Sequence, residues 1–273
     1  MAGLLAVIFP GLGQLYNGQI ILSVIILLAV FACHALIAIP KPNLPIPLLL
    51  ISVGIYLLAI GQALFKTHKL RDGFIAAKWN NWVFYMVALM FGIILTQLPG
   101  QVLYTFHQVD NECMAGVYET GDIVYVNKIA TLFSEPREEQ IVVFRPVNNP
   151  NRVSVGRIWA QSGRPIEIRD NYIYMDGYRI ITTGTNPFEL QTVGGDAADI
   201  VRRASVQDTV IPENNYLVIG DNSFGWADEV CTGIIPRTNL VGRVDYTFFK
   251  SSGDETTDRE SYRLLIYYLF FAL

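Results

Sequence analysis

Residues 211–223 of the chain read IPENNYLVIGDNS and combine the two features that decide how its second half folds. Tyr216–Ile219 is a short apolar run that includes aromatic and β-branched residues, which is typical of a strand. Gly220-Asp221-Asn222 follows directly, and these residue types favour a tight turn. The stretch therefore predicts a strand that ends in a turn at its Gly-Asp-Asn sequence.

Apolar runs of strand length also flank this stretch, separated by Gly, Pro, Asn and Asp. They are Ile123–Val126, Ile141–Phe144, Val153–Trp159, Tyr172–Met175 and Val241–Phe249. Runs of this kind predict a mainly β domain over residues 100–250. The polar, Gly-rich stretch Thr182–Ser205 is predicted to be a loop or insertion on its surface.

The first 99 residues have a different character and predict a membrane domain. Ile20–Ile39, Leu48–Phe65 and Trp82–Leu98 are apolar runs close to the length that crosses about 30 Å of hydrocarbon as a helix. The four prolines of Pro40–Pro47 predict a turn between the first two. We expect about three transmembrane helices, at 20–39, 48–65 and 82–98, with the lipid bilayer as a partner.

The distribution of charge predicts the orientation of the chain. The connection 66–81 contains Lys66, Lys69, Arg71 and Lys78, and basic connections lie on the cytoplasmic side. Residues 100–258 carry 13 Lys and Arg against 22 Asp and Glu, which argues against a nucleic-acid partner. We expect a multi-pass protein of the cytoplasmic (inner) membrane, with the 100–250 domain on its exported side.

The last residues, 251–273, form a polar linker followed by a short apolar segment. Leu264–Leu273 is too short to cross a bilayer as a helix. Two placements stay open for it: in the membrane interface, or packed on the domain.

Three stretches of the exported domain carry a family resemblance. They are Cys113–Gly116 with Gly121–Lys128, Glu139–Pro146 with Gly156-Arg157-Ile158, and Ile211–Ser223 continuing through Asp228 to Pro236. In this order they resemble the nucleophile segment, the lysine segment and the Gly-Asp-Asn box of bacterial signal peptidase I, peptidase family S26. The resemblance covers roughly residues 80–250. It implies a membrane-anchored serine endopeptidase fold in which a lysine deprotonates the attacking serine.

Matching the family position by position shows that this chain lacks the Ser/Lys dyad. Cys113 occupies the nucleophile position and Gly156 the position of the general base, and Gly116 replaces a proline. Within the box, Gly220, Asp221, Asn222 and Asp228 match, whereas Trp226 and Val230 replace the family's serine and arginine. Because groups that act as one catalytic unit fail together, these substitutions predict a catalytically degenerate member.

Two alternatives for Cys113 remain open. It could be the nucleophile of an active, divergent signal peptidase with His107 as its base, although Asp110 and Glu112 would raise the pKa of its thiol. It could instead form a disulfide with Cys231, because the resemblance implies that the box lies close to the nucleophile and an exported domain is in an oxidising compartment. Two separate buried thiols are the remaining interpretation.

The remaining titratable residues predict no other chemistry. The domain has two lysines, Lys128 and Lys250, and neither matches the catalytic one. Asp221 and Asp228 lie in the box without a histidine, so we expect neither a metal site nor a cofactor. The predicted function is to hold extended signal-peptide-like segments of preproteins without cutting them, or to serve as an accessory subunit of an active signal peptidase or secretion assembly.

Overall fold

The computed structural model describes residues 1–69, 80–169, 172–179, 181–182, 191–192, 210–222 and 231–251. These residues belong to two compact units. One is Met1–Leu103, and the other begins at Tyr104.

The first unit is helical. Its helices are α1 (Ala2–Ile8), α2 (Leu12–Tyr16), α3 (Ile20–Leu36), α4 (Pro45–Lys69) and α5 (Trp82–Val102). Within the described residues, α4 and α5 are the two helices that are long and apolar enough to cross a membrane. The expectation of three spans is therefore not confirmed, because the first predicted span forms a helix of only 17 residues, α3. Most of the predicted cytoplasmic loop lies outside the described residues.

The proline-rich connection is shorter than the sequence predicts. Helix α4 begins at Pro45 and includes Pro47, so the predicted turn at Pro40–Pro47 is wrong in its last residues. The physical reason is that the first turn of a helix has no internal acceptors for its N–H groups, so proline is tolerated there.

The two N-terminal helices pack against α4 through small and polar residues. A side-chain carbon at Gly13 would lie only 2.6 Å from Cβ of Ala6 and 2.9 Å from Cβ of Ala63, so only glycine fits. The buried Gln14 donates from Nε2 to the Ala59 carbonyl over 2.6 Å. Close backbone packing and side-chain hydrogen bonds are the forces that join helices in an apolar solvent.

The second unit is mainly β. Its strands are β1 (Tyr104–Gln108), β2 (Ile123–Asn127), β3 (Ile141–Phe144), β4 (Ser154–Ala160), β5 (Ile166–Arg169), β6 (Tyr172–Met175), β7 (Tyr178–Arg179), β8 (Ile181–Thr182), β9 (Gln191–Thr192), β10 (Asn215–Ile219), β11 (Thr232–Pro236) and β12 (Leu240–Phe249). A short helix, α6 (Lys128–Phe133), follows β2. Seven strands form one antiparallel sheet in the order β1-β2-β12-β3-β4-β10-β11. Strands β5, β6 and β7 form a second sheet, and β8 pairs with β9.

All six strands that the apolar runs predict are present, and the sequence missed others. Strand β1 reads YTFHQ and β11 reads TGIIP, so neither is an uninterrupted apolar run. Both are outer strands of the seven-stranded sheet, each paired on one side only among the described residues, and a continuous apolar pattern is not needed there. Most of the predicted insertion 182–205, and residues 252–273, lie outside the described residues.

The segment between β1 and β2 folds back over the sheet instead of forming a tight hairpin. Val109 and Met114 from this segment are buried in one cluster with Val124, Val143 and Val155. This packing brings Cys113 onto the sheet, beside strands that are distant in sequence.

Candidate functional site

A disulfide joins Cys113 to Cys231, which precedes β11. The two Cα atoms lie 5.2 Å apart, and 118 positions separate them in sequence. Both residues are buried. Because the sulfur of Cys113 is bonded to another sulfur, this residue has no thiol and is not a nucleophile in this state.

Two polar side chains, Ser154 and Asn111, form hydrogen bonds at Cys113. The buried Ser154 hydroxyl lies 3.5 Å from it. Asn111 Nδ2 donates to this hydroxyl over 3.3 Å, and Asn111 Oδ1 accepts from the Cys113 N–H over 3.2 Å. These hydrogen bonds link the nucleophile segment to β4, and neither Ser154 nor Asn111 is a basic group.

Gly156 occupies the expected base position in the middle of β4, and its surroundings leave no room for a side chain. A Cβ at this position would lie 2.7 Å from Val218 Cγ1 and 3.1 Å from Phe144 Cε1. Gly116 also differs structurally from the proline it replaces, because its φ is 94° and proline is fixed near −65°. The family's lysine at position 156 and its proline at position 116 would therefore each require a change in the local packing or backbone.

The Gly-Asp-Asn turn is hydrogen-bonded to the nucleophile segment and to Cys231. The N–H of Gly220 donates to the Cys231 carbonyl over 2.9 Å. The N–H of Asn222 donates to the Cys113 carbonyl over 3.0 Å, and its side-chain Nδ2 donates to the Glu112 carbonyl over 2.7 Å. These bonds satisfy buried main-chain groups on both sides of the disulfide, which is a structural role.

Asp221 is neutralised by an ion pair with Arg157. Arg157 Nε donates to the two carboxylate oxygens over 2.9 and 3.2 Å, and Nη1 donates to the Glu139 carbonyl over 2.9 Å. The hydrogen bond with Asp221 raises the pKa of Arg157 despite its partial burial. The carboxylate is thus held by a permanent cation and is not placed to act as a general base.

The other candidate bases lie on strand β1, on α6 and directly after β12. His107 is opposite Val124 in the β1–β2 pair, and its buried Nε2 atom has no hydrogen-bond partner within the described chain. Burial lowers the pKa of His107. Lys128 begins α6, where burial and the charge of Arg145 lower its pKa. Lys250 follows the end of β12 and is exposed.

Part of the expected site lies outside the described residues. Trp226, Asp228 and Val230 fall in 223–230, which the structure does not describe. Across the described ranges, no group of three His, Cys, Asp or Glu side chains could hold a metal ion.

The sequence did not reveal the roles of Asn111, Ser154 and Arg157. A signal existed for Arg157, because it is the single charged residue in the apolar run Val153–Trp159, and a charge in a buried strand needs a partner. Asn111 and Ser154 had no such signal, since small polar residues are ordinary in loops and at strand ends.

Comparison with known proteins gives a consistent set of similarities. A family model described as signal peptidase, peptidase S26, matches residues 79–249. The chain is 22% identical over 168 residues to a protein named inactive signal peptidase IA of Staphylococcus aureus strain N315, which covers 62% of this chain and 92% of that protein. It is 24% identical over 174 residues to signal peptidase IB of Staphylococcus aureus strain Mu50, which covers 62% of this chain and 90% of that protein.

A solved structure is also similar. The crystal structure of a signal peptidase I from Enterococcus faecalis V583 is 20% identical and matches 41% of this chain and 97% of that one. The TM-score of this match is 0.28.

Proposed function

Because the chain belongs to the signal peptidase family, peptidase S26, we propose that it is a non-catalytic member that binds signal-peptide-like segments of exported proteins without cleaving them. One observation carries this proposal. The sulfur of Cys113, at the nucleophile position, is bonded to the sulfur of Cys231, so no free thiol remains there.

The chemistry of peptide hydrolysis explains why this arrangement is inert. An attacking side chain needs a free hydroxyl or thiol and a base within hydrogen-bond reach. Here Cys113 has no thiol, and the base position, Gly156, is packed against Val218 and Phe144. Loss of the nucleophile or its base lowers the kcat of a serine hydrolase by about 10⁴–10⁶-fold. The similarity to a relative that is named inactive supports the same conclusion.

A location at the membrane fits the two apolar helices, α4 and α5, and the charge distribution. Residues 1–99 carry five Lys and Arg against one Asp, whereas residues 100–258 are acidic. We place the helical unit in the cytoplasmic membrane and the β unit on the exported side, where the disulfide is stable.

Strand addition is the mode by which this domain would hold a peptide. Strands β1 and β11 are the outer strands of the seven-stranded sheet. The main-chain groups on an unpaired edge can bind an extended segment of another chain. The same surface would serve an accessory subunit that works beside an intact signal peptidase.

The test combines a cleavage assay with a binding assay on the full chain in nanodiscs. A preprotein with an Ala-x-Ala site and a photo-cross-linker in its signal peptide is incubated with the protein, with and without a thiol reductant. The same preprotein without its signal peptide is the control ligand, and the Cys113→Ala/Cys231→Ala variant is the control protein. We expect a cross-link that depends on the signal peptide and no cleavage under any condition.

Two results would contradict the proposal in different ways. Cleavage that is lost in the Cys113→Ala/Cys231→Ala variant would establish an active cysteine peptidase. The absence of any signal-dependent cross-link would exclude peptide binding, and co-purification with an intact signal peptidase would then favour the accessory role.

A further inference from the structure

We propose that α1 covers a groove on α2 and α4 that binds the apolar helix of a signal peptide, so that the ligand and α1 compete for one place. This inference rests on the proposed function and on the membrane location of the helical unit, and it names where in that unit the apolar part of the ligand is held. Helix α1 reads AGLLAVI and has 7 residues. The apolar run of a signal peptide has about 7–15 residues, so α1 resembles the proposed ligand.

Small residues on both sides form the contact between α1 and the groove. Ala2 and Ala6, one helical turn apart on α1, are both 0% exposed. A side-chain carbon at Gly13 of α2 would lie 2.6 Å from the Ala6 Cβ and 2.9 Å from the Ala63 Cβ of α4, so the three backbones are close together. Close packing through small residues is how helices associate in an apolar solvent. Another helix with small residues on one face would fit the same place.

Hydrogen bonds that do not involve α1 hold the two walls of the groove together. Gln14 Nε2 donates to the Ala59 carbonyl over 2.6 Å, and Asn17 Nδ2 donates to the Ala63 carbonyl over 3.0 Å. Both bonds join α2 to α4. Helix α2 also contacts α3 and α5. The walls of the groove can therefore keep their arrangement when α1 moves away.

Helix α1 itself is held less firmly. Leu4, Val7 and Ile8 form its outer face, and each is more than half exposed. One side-chain hydrogen bond, from the Tyr56 hydroxyl to the Val7 carbonyl, reaches α1 from α4. Gly11, between α1 and α2, has a φ of 97°, a conformation that glycine adopts without strain and that turns the chain sharply. Because an isolated helix of this length is marginally stable, α1 depends on the groove, and a longer apolar helix can replace it.

One polar atom beside the floor of the groove is left for a ligand. Gln14 is 0% exposed, and its Oε1 atom has no hydrogen-bond partner within the described chain. Its Nε2 atom also donates to Gln62 Oε1 over 3.1 Å, so α4 fixes the orientation of this amide. A buried acceptor without a donor costs free energy. A hydroxyl or a main-chain N–H of a bound segment would supply that donor.

The test locks α1 in place in the full chain in nanodiscs. A Cβ at Gly3 would lie 3.3 Å from Leu64 Cγ, so the pair Gly3→Cys/Leu64→Cys is within reach of a disulfide. In a Cys33→Ser background, this oxidised pair holds α1 on α4, and the two single variants are the unlocked controls. Each protein is incubated with a preprotein that carries a photo-cross-linker in the apolar run of its signal peptide, and mass spectrometry identifies the cross-linked sites.

We expect the signal peptide to cross-link to α2 and α4 around Gly13 and Ala63 in the single variants, and this cross-link to be lost in the locked variant. Ala6→Leu is a second test, because extra volume in this buried contact pushes α1 away, and the cross-link yield should rise by about fivefold or more. Val7→Leu is its matched control, since the Val7 side chain is 58% exposed, and it should leave the yield unchanged.

Equal cross-linking to α2 and α4 in the locked and single variants would overturn the proposal, as would a yield for Ala6→Leu no higher than that for Val7→Leu. Cross-links confined to the β unit would overturn it and leave the proposed function intact. The absence of any signal-dependent cross-link on the whole chain would contradict the proposed function as well.

Discussion

The main chain of Gly220 lies directly against that of Cys113. A Cβ at Gly220 would lie 3.1 Å from the Cys113 carbonyl carbon and 3.2 Å from its Cβ, and closer still to the carbonyl oxygen. The same glycine donates its N–H to Cys231. Gly220 therefore lies between the two cysteines of the disulfide. Because it has no side chain, the segments that contain Cys113 and Cys231 can approach each other.

Gly220→Ala should destabilise the domain because the added methyl group must push the Cys113 backbone away. Overpacking of this kind costs about 1–3 kcal/mol, and backbone atoms yield less easily than side chains. The free energy of unfolding by urea measures the change. Gly233→Ala is the control, because its Cβ would meet only Ile235 Cδ1 at 3.4 Å. Equal stability of the two variants would show that Gly220 is not a packing requirement.

Asp221→Asn should also destabilise the domain, because it leaves the Arg157 guanidinium without its counter-charge. The side chains are 6% (Asp221) and 26% (Arg157) exposed, so we expect a loss near the lower end of the about 3–5 kcal/mol for a broken buried pair. Glu138→Gln breaks the more exposed pair with Arg164, whose charges are screened by water, and should lower the free energy of unfolding much less. An equally small decrease in the free energy of unfolding in both variants would show that the Arg157–Asp221 pair stabilises the domain no more than the exposed Arg164–Glu138 pair.

His107 should make the domain less stable in mild acid. Burial lowers its pKa below the value of about 6.5 that it has in the unfolded chain. As the pH falls through that unfolded value, the unfolded chain binds a proton that the folded chain does not, so the free energy of unfolding decreases by up to about 1.4 kcal/mol per pH unit until the folded pKa is reached.

The variant His107→Gln isolates this contribution. Thermal or urea unfolding of the wild type and the variant between about pH 7.5 and about pH 5.5 should show a smaller pH dependence in the variant. Identical slopes would mean that His107 has the same pKa in both states. The Asp110 charge acts in the opposite direction and limits the size of the effect.

The strands were predictable from sequence wherever burial on the sheet demands apolar side chains. Tyr216–Ile219 and Ile141–Phe144 were recognised because both faces of these strands are covered. The outer strand β1 was missed because Tyr104–Gln108 mixes aromatic and polar residues. The start of α4 at Pro45 was also missed, since the rule against proline holds only beyond the first helical turn.

The resemblance to signal peptidase I implied that the Gly-Asp-Asn box lies close to Cys113, but the contacts between the two segments were not predictable from the sequence. Cys113, Gly156 and the Gly-Asp-Asn turn stand at positions that the resemblance to signal peptidase I locates in sequence. The close approach of Gly220 to Cys113 and the lack of space at Gly156 depend on how the segment after β1 folds back over the sheet, and no periodicity in the sequence encodes that path. The partners of Asn111 and Ser154 depend on the same path.

The state of Cys113 in protein taken directly from membranes tests the central claim most directly. The protein is denatured, alkylated without reduction, digested, and analysed by mass spectrometry. We predict one cross-linked peptide pair containing Cys113 and Cys231, with alkylation at Cys33 only, in agreement with the disulfide and the one free cysteine of the described chain. Alkylated Cys113 would show that a free thiol occupies the nucleophile position and would contradict the account.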